Sequence, residues 1–560
     1  MSSLEQLEND IKRLQELTRG KSDLLLSETS KFISTYEALV NQHKDAVAAM
    51  AIEQFNKGNL YASEQLCRLV LHSHRKDVKA LHLLATIAAQ LGHHEDAVDL
   101  LLDCLDLNPN LSFIRYQLSQ EFFKSGSFQL ALGQCDQLLA QEPANVNYAA
   151  LKAASLVKLG QYSDATLQYE KILASGLHDA EILLRYGIAL RIVGRTPEAI
   201  DTFRKVISQQ PECGEAYWNL ANLKVFKFET DDVDAMQNAL RSDQLKAQNR
   251  IFVLFSLGKA LDDLGQFSEA FQYYFEANEL AKSRDDYDPR NTSELVNRCR
   301  QTFTSQYFET HKQACESDEP IFVLGLPRAG STLLEQVLSN HSAIDATMEL
   351  SEIAAMVRSL NNPNRTGKSF QYPRMLTQLK ADELERLGQE YLKRTKCFRG
   401  EKHFFIDKAP HNFLHIGLIK SILPNAKIID ARRNPYACGV SIYKQFFARG
   451  TGYAYDLKHI GLYYRDYLQL MNHWHEVLPG KILTVHYEDV VNDMEGQVRK
   501  MLDYCGLPFE SQCLEFYKSK RAVATVSSEQ VRQPVYTSML EHWKNYEKFL
   551  APLKNALGDN

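Results

Sequence analysis

The run Gly325-Leu-Pro-Arg-Ala-Gly330-Ser331-Thr332 has the G-x-x-x-x-G frame of a phosphate-binding loop. It stands between a short apolar run, 321–325, suited to a buried strand, and a helical pattern over 332–338. A loop so placed turns successive backbone N–H groups toward an anion at a helix N-terminus, where the helix dipole already favours negative charge. The position before Thr332, lysine in a nucleoside triphosphatase, is Ser331, and a cation comes earlier, as Arg328. Without that lysine, and with no convincing partner aspartate for magnesium, a kinase or triphosphatase is disfavoured. Farther on, 425–435 reads as a strand running into a helix, with Arg433 at the join and Ser441 shortly after. A planar guanidinium and a hydroxyl at a helix start suit a phosphate dianion. Asp407-Lys408-Ala-Pro410 follows another apolar run, which sets Lys408 where a strand leaves its sheet.

These blocks resemble the sulfotransferases that use 3′-phosphoadenosine-5′-phosphosulfate (PAPS), and the resemblance covers most of residues 320–546. The loop is similar to their 5′-phosphosulfate loop, in the arginine-bearing form of the protein-tyrosine sulfotransferases rather than the lysine-bearing form of the cytosolic enzymes. The resemblance implies that Arg328, Ala329, Gly330, Ser331 and Thr332 hold the 5′-phosphosulfate, and that Arg433 and Ser441 take the 3′-phosphate. It sets Lys408 beside the sulfate and the leaving phosphate. Tyr487 in Val-His-Tyr-Glu and Ser527 in Val-Ser-Ser-Glu-Gln-Val match positions that contact the nucleotide. Transfer to a hydroxyl needs a group to take its proton. Counted without gaps from the loop, Glu349 occupies the place of the catalytic glutamate, with Glu352 as its rival three residues on.

Three positions depart from the tyrosyl pattern: Ser351, Gln445 and His542 stand where basic residues are expected, although Lys544 is close to the last. They leave PAPS as co-substrate and PAP (3′-phosphoadenosine-5′-phosphate) as product, and put tyrosine specificity in doubt. No metal is implied. The rival from another class is a repeat scaffold whose sulfotransferase-like domain binds a nucleotide without catalysis.

The elements that must position these residues alternate. Strand candidates at 403–407, 426–430 and 481–485 are separated by helical stretches, so the expected C-terminal part is an α/β domain, P-loop-like, with a mainly parallel sheet. Before it lies a different grammar. Gly58, Gly92, Gly126, Gly160 and Gly194 recur every 34 residues, and so do Ala97, Ala131, Ala165 and Ala199. Small residues at Ala51, Ala85, Ser119, Ala153, Gly187 and Ala221 keep the same step. One helical hairpin per period is the physical reading, with a small residue for close packing and glycine in the left-handed turn. The pattern resembles the tetratricopeptide repeat, an all-α superhelix with a concave face. A sixth unit around 218–245 is degenerate and carries three extra residues; a seventh recovers the pattern at Gly258, Gly265, Ala270, Tyr274 and Ala277. The expected division is a helical capping segment 1–43, repeats over 44–284, a helical linker 285–319 and the sulfotransferase domain 320–560. Repeats followed by this domain are similar to the bacterial tetratricopeptide-repeat sulfotransferases. A repeat superhelix offers an extended concave surface, so the expected acceptor is a peptide or protein, tyrosine among its candidate hydroxyls, recruited by the repeats.

Bulk composition narrows the rest. A chain of 560 residues exceeds one hydrophobic core. A net charge of −6 gives no basic footprint for nucleic acid. No long apolar run or N-terminal leader pattern stands out, so no membrane is implied. Ten cysteines scattered singly fit a reduced compartment, with the cytoplasm as the expectation. A homodimer stays open.

Overall fold

A computed structural model describes residues 3–18, 22–311, 314–361, 372–447, 450–519, 521, 523, 530–534 and 540–558. The chain divides into two compact units, Met1–His178 and Asp179–Asn560.

The first unit is helical throughout. Hairpins such as Val78–Gln90 with His94–Leu107, and Ser112–Lys124 with Phe128–Gln141, follow the 34-residue period. Gly58, Gly92, Gly126 and Gly160 each sit in the turn at φ between +75 and +83, the left-handed region that the repeat reserved for glycine. The small residues Ala85, Ser119 and Ala153 are fully buried, so the helix opposite can approach closely. The N-terminal helix Ser3–Thr18 buries Leu7 and Ile11 with Val40 and Val47 of the long helix Ser22–Asn56, whose backbone leaves helical geometry at His43.

The second unit opens with further hairpins, Ala180–Val193 with Thr196–Gln209 and, later, Ala247–Asp263 with Phe267–Lys282. Between them the regular pattern breaks. The helix Gly214–Asn222 has nine residues, and an irregular connection, 223–229, precedes the helix Thr230–Leu240. Gly187 and Gly258 hold the small-residue position because a Cβ there would meet the rings of Phe203 and Tyr274 at 2.6 and 2.7 Å.

A five-stranded parallel sheet forms the α/β part: β1 Pro320–Gly325, β2 Ile344–Ala346, β3 Phe404–Lys408, β4 Lys427–Arg432 and β5 Leu483–His486, in the order β2-β3-β1-β4-β5. Central β1 is buried at all six positions, which is why it reads as an unbroken apolar run. Short β2, with Asp345 at its middle, gives no such signal and was not anticipated. Ile321, Val323, Ile406 and Ile429 meet Leu334 and Val337 of the helix Ser331–Ser339 in the core on one face.

The helices of 289–310 bury Val296, Cys299 and Phe303, and Ser293 Oγ donates to Asp466 at 2.7 Å. They pack onto the α/β part. The last repeat helices do the same. Phe271 stacks on Phe549 with ring centroids 4.0 Å apart, and Asn278 Nδ2 donates to the Tyr443 carbonyl at 2.9 Å. The compact division therefore falls inside the repeat array, at 178/179.

Candidate active site

The loop after β1 reverses sharply. Arg328 has φ +67, rare for a residue with a Cβ, and Gly330 has φ +102. Ala329 N–H donates back to the Leu326 carbonyl at 3.2 Å. Ser331 and Thr332 then open the helix Ser331–Ser339, both buried, and their N–H groups stand at the helix start, whereas those of Leu333 and Leu334 donate to the Gly330 carbonyl. A Cβ on Gly330 would lie 2.8 Å from the ring of Tyr487, so glycine is needed there for space as well as for φ.

The strand-to-helix turn after β4 meets this loop. Arg328 Nε donates to Ser441 Oγ at 3.0 Å, and Arg328 Nη2 donates to Gln530 Oε1 at 3.0 Å. Arg433 Nη1 donates to the Arg328 carbonyl at 3.2 Å, and its guanidinium lies over the Tyr487 ring, 4.8 Å from the centroid. Tyr464 Oη fixes the Arg433 carbonyl at 2.7 Å, and Asn434 caps the helix Pro435–Tyr443. The structure thus brings Arg328, Gly330, Ser331, Thr332, Arg433, Ser441 and Tyr487 together on one cavity of about 510 Å³. In this arrangement the Arg328 side chain reaches the Ser441 side of the cavity, although its backbone belongs to the loop. Ser527 lies outside the described residues.

Lys408 and Glu349 form a second group, apart from that cavity lining. Lys408 ends β3, beside β1, and is 1% exposed. Its ammonium contacts the Glu349 carboxylate, and Glu335 Oε2 lies 3.9 Å away. Glu335 is held in turn by Arg521 Nη2 at 2.8 Å. Glu349 is half exposed, in the coil between β2 and the helix Glu352–Leu360. Neighbouring residues of a strand point to opposite faces, and Asp407 does so. It accepts from Tyr391 Oη at 2.7 Å, and burial pushes its carboxyl up to about 7. Glu352 belongs to this other side. Burial raises its pKa too, its Oε2 has no hydrogen-bond partner among the described residues, and its charge is felt at Asp407 and Tyr391. Of the two glutamates, only Glu349 touches Lys408.

Sequence reasoning missed one wall of the cavity. Lys224, Lys227, Lys259 and Lys444 line it, with Asp262 and Asp263. Asp262 Oδ2 pairs with Lys444 at 2.7 Å, and Asp263 with Lys259. For Lys224 and Lys227 the signal is present as the irregular sixth repeat; the others carry none. Gln445 and His542, noted as departures, line the same wall; Gln445 Nε2 donates to Asn222 Oδ1 at 3.2 Å, and His542 lies 3.5 Å from Asp262. Among the described residues, no group of three or more His, Cys, Asp or Glu side chains is arranged to hold a metal.

Comparison with known proteins agrees with this division of parts. A family model described as "Sulfotransferase family" matches residues 320–511. Models described as "Psidin, N-terminal TPR repeats region" and "Tetratricopeptide repeat" match residues 120–237 and 78–111. An "Uncharacterized protein" of Aquifex aeolicus is 34% identical over 380 residues, covering 66% of this chain and 49% of its own length. Protein-tyrosine sulfotransferase 1 of Danio rerio is 26% identical over 245 residues, 40% of this chain and 65% of its own. An omega-hydroxy-beta-dihydromenaquinone-9 sulfotransferase of Mycobacterium bovis is 25% identical over 287 residues, 40% of this chain and 74% of its own. The chain spans about half the length of the Aquifex relative and less than two thirds of the Danio one. The loop after β1, the turn bearing Arg433 and Ser441 and the parallel sheet lie within the matched segment, and the 34-residue hairpins precede it: the chain carries tetratricopeptide repeats followed by a domain of the sulfotransferase family.

Proposed function

We propose that the chain moves a sulfuryl group from PAPS to an acceptor hydroxyl, on a peptide or protein engaged by the repeats. The observation that carries this reading is the convergence of the phosphate loop with Arg433 and Ser441 on one cavity, while Lys408 and Glu349 pair at the end of the strand beside the loop. The cavity suits such a nucleotide: about 510 Å³ falls in the range of small-molecule sites, and six of its side chains are cationic against two carboxylates.

The loop amides, Ser331 and Thr332 hold the 5′ end of the nucleotide at the helix N-terminus. Arg433, Ser441 and Arg328 hold the 3′-phosphate, and Tyr487 keeps the Arg433 guanidinium oriented. Glu349 takes the proton of the acceptor hydroxyl. Lys408, poised beside it, stabilises negative charge on the departing phosphate. Chemically, a bond forms between the acceptor oxygen and sulfur as the bond from sulfur to the bridging phosphate oxygen breaks, so positioning and charge stabilisation do most of the work.

The relatives' names span a tyrosine and a menaquinone hydroxyl; the repeats favour a peptide acceptor here, because stacked hairpins offer an extended binding surface. All ten cysteines are free, which suits a reducing compartment, and we assign the protein to the cytoplasm. No helix among the described residues is long and apolar enough to cross a membrane. Calorimetry on the full chain tests the nucleotide. PAP should bind at least tenfold tighter than AMP or ATP, and Arg433→Ala should weaken PAP by roughly ten- to hundredfold. Equal affinities for PAP and AMP would sink the proposal.

A further inference from the structure

The repeat register breaks at one place, and that place faces the nucleotide cavity. A regular unit joins its two helices through a glycine in the left-handed turn, as at Gly194. One period later, the helix Gly214–Asn222 stops short and the connection 223–229 takes over. Lys224 stands in it at φ +61, and Val225 N–H donates to the Leu223 carbonyl at 2.7 Å across it. A three-residue turn with a positive central φ is rare and strained, and a lysine has no conformational reason to occupy it. Strain of this kind persists where surrounding structure enforces it, and it gathers at ligand sites.

The surroundings do enforce it. Lys259 Nζ donates to the Phe226 carbonyl at 3.3 Å, Arg204 lies over the Phe226 ring, and Phe226 packs edge-on against Phe228. Held in this way, Lys224 lines the cavity together with Arg328, Arg433 and Ser441. Lys259 and Lys444 have Asp263 and Asp262 as counter-charges, whereas Lys224 has no carboxylate at ion-pair distance among the described residues. Burial lowers its pKa, and the charges of Arg328, Lys259 and Lys444 lower it further. A cation gathered among cations, facing a cavity, is stabilised by an anion entering that cavity.

We infer that the connection 223–229 is part of the nucleotide site, and that Lys224 is the cation it delivers to the 3′-phosphate, beside Arg328 and Arg433. The inference rests on the reading of the cavity as a PAPS site and adds that a repeat supplies its specificity. It gives the irregular sixth unit a function. It also accounts for Gln445 on that wall: the amide bonds to Asn222, two residues before Lys224, and so ties the wall of the α/β part to the connection.

Calorimetry on the full chain, with PAP and AMP as probes, tests it. Lys224→Gln should weaken PAP by about ten- to hundredfold, the loss of one charge-assisted contact, and leave AMP within about twofold. Lys224→Asn should do the same; asparagine accepts a positive φ, so this variant keeps the turn if glutamine does not. If both variants bind PAP as the parent does, or lose PAP and AMP by the same factor, the inference is overturned while the PAPS reading stands. If the parent itself binds PAP no tighter than AMP, both fall together.

Discussion

Glu349 and Glu352 show what a sequence count can and cannot decide. Three residues apart, both suit the role of the base, and a gapless match alone favours the first. The structure separates them through a tertiary contact that no local pattern encodes: Lys408 meets Glu349, while Glu352 is half-buried and its charge is felt at Asp407. Glu349→Gln should therefore leave PAP affinity within about twofold and lower kcat by roughly 10²–10⁴. Glu352→Gln should keep kcat within about threefold, and should not destabilise, since it replaces a half-buried carboxyl whose Oε2 has no hydrogen-bond partner among the described residues. Single-turnover assays on the two variants decide between them; the reverse pattern would move the base to Glu352. Arg328, Arg433 and Ser441 were legible because their chemistry is local to two turns. Lys224 was not, because Arg328 and Arg433, which share the cavity with it, lie about a hundred residues and more along the chain.

At the scale of elements, the sequence revealed β1, β3 and β4, buried along most of their length, and also β5, which is only partly buried but still reads as a short β-branched run. β2 escaped because three residues around Asp345 carry no periodicity. β3 holds a testable cost of placing chemistry at its end. Burial raises the Asp407 carboxyl to about 7, so the folded chain keeps a proton that the unfolded chain releases near pH 4. The contribution of this group is then full below about pH 4 and is lost as the pH rises toward 7. Asp407→Asn should remove that loss. In urea unfolding, the variant should gain about 2–4 kcal/mol on the parent between pH 5 and 7.5, and a constant difference across that range would contradict it. The loop gives a second test. Gly330→Ala must adopt φ +102 with its Cβ against Tyr487, so it should lose about 1–3 kcal/mol of stability and most PAP affinity together.

For the molecule as a whole, the sequence separated repeats from the sulfotransferase domain by a change of grammar. The compact division lies elsewhere, because pairing across distant segments is invisible to periodicity: Lys444 with Asp262, Phe549 with Phe271, Asn278 with Tyr443. A fragment 179–560 should accordingly unfold cooperatively and bind PAP as the full chain does, with a raised KM for a long peptide acceptor. A fragment 320–560 should aggregate, since it exposes the apolar and charged groups that those repeats cover. The central claim is the transfer itself. The measurement that tests it most directly follows isotopically labelled sulfate from PAPS in the presence of the full chain and peptides from a host lysate, with Glu349→Gln as control. The account predicts label appearing on peptide hydroxyls in step with PAP release, and its loss in the variant. Tight PAP binding with no label transferred to any acceptor would contradict it, and would leave a nucleotide-binding scaffold in its place.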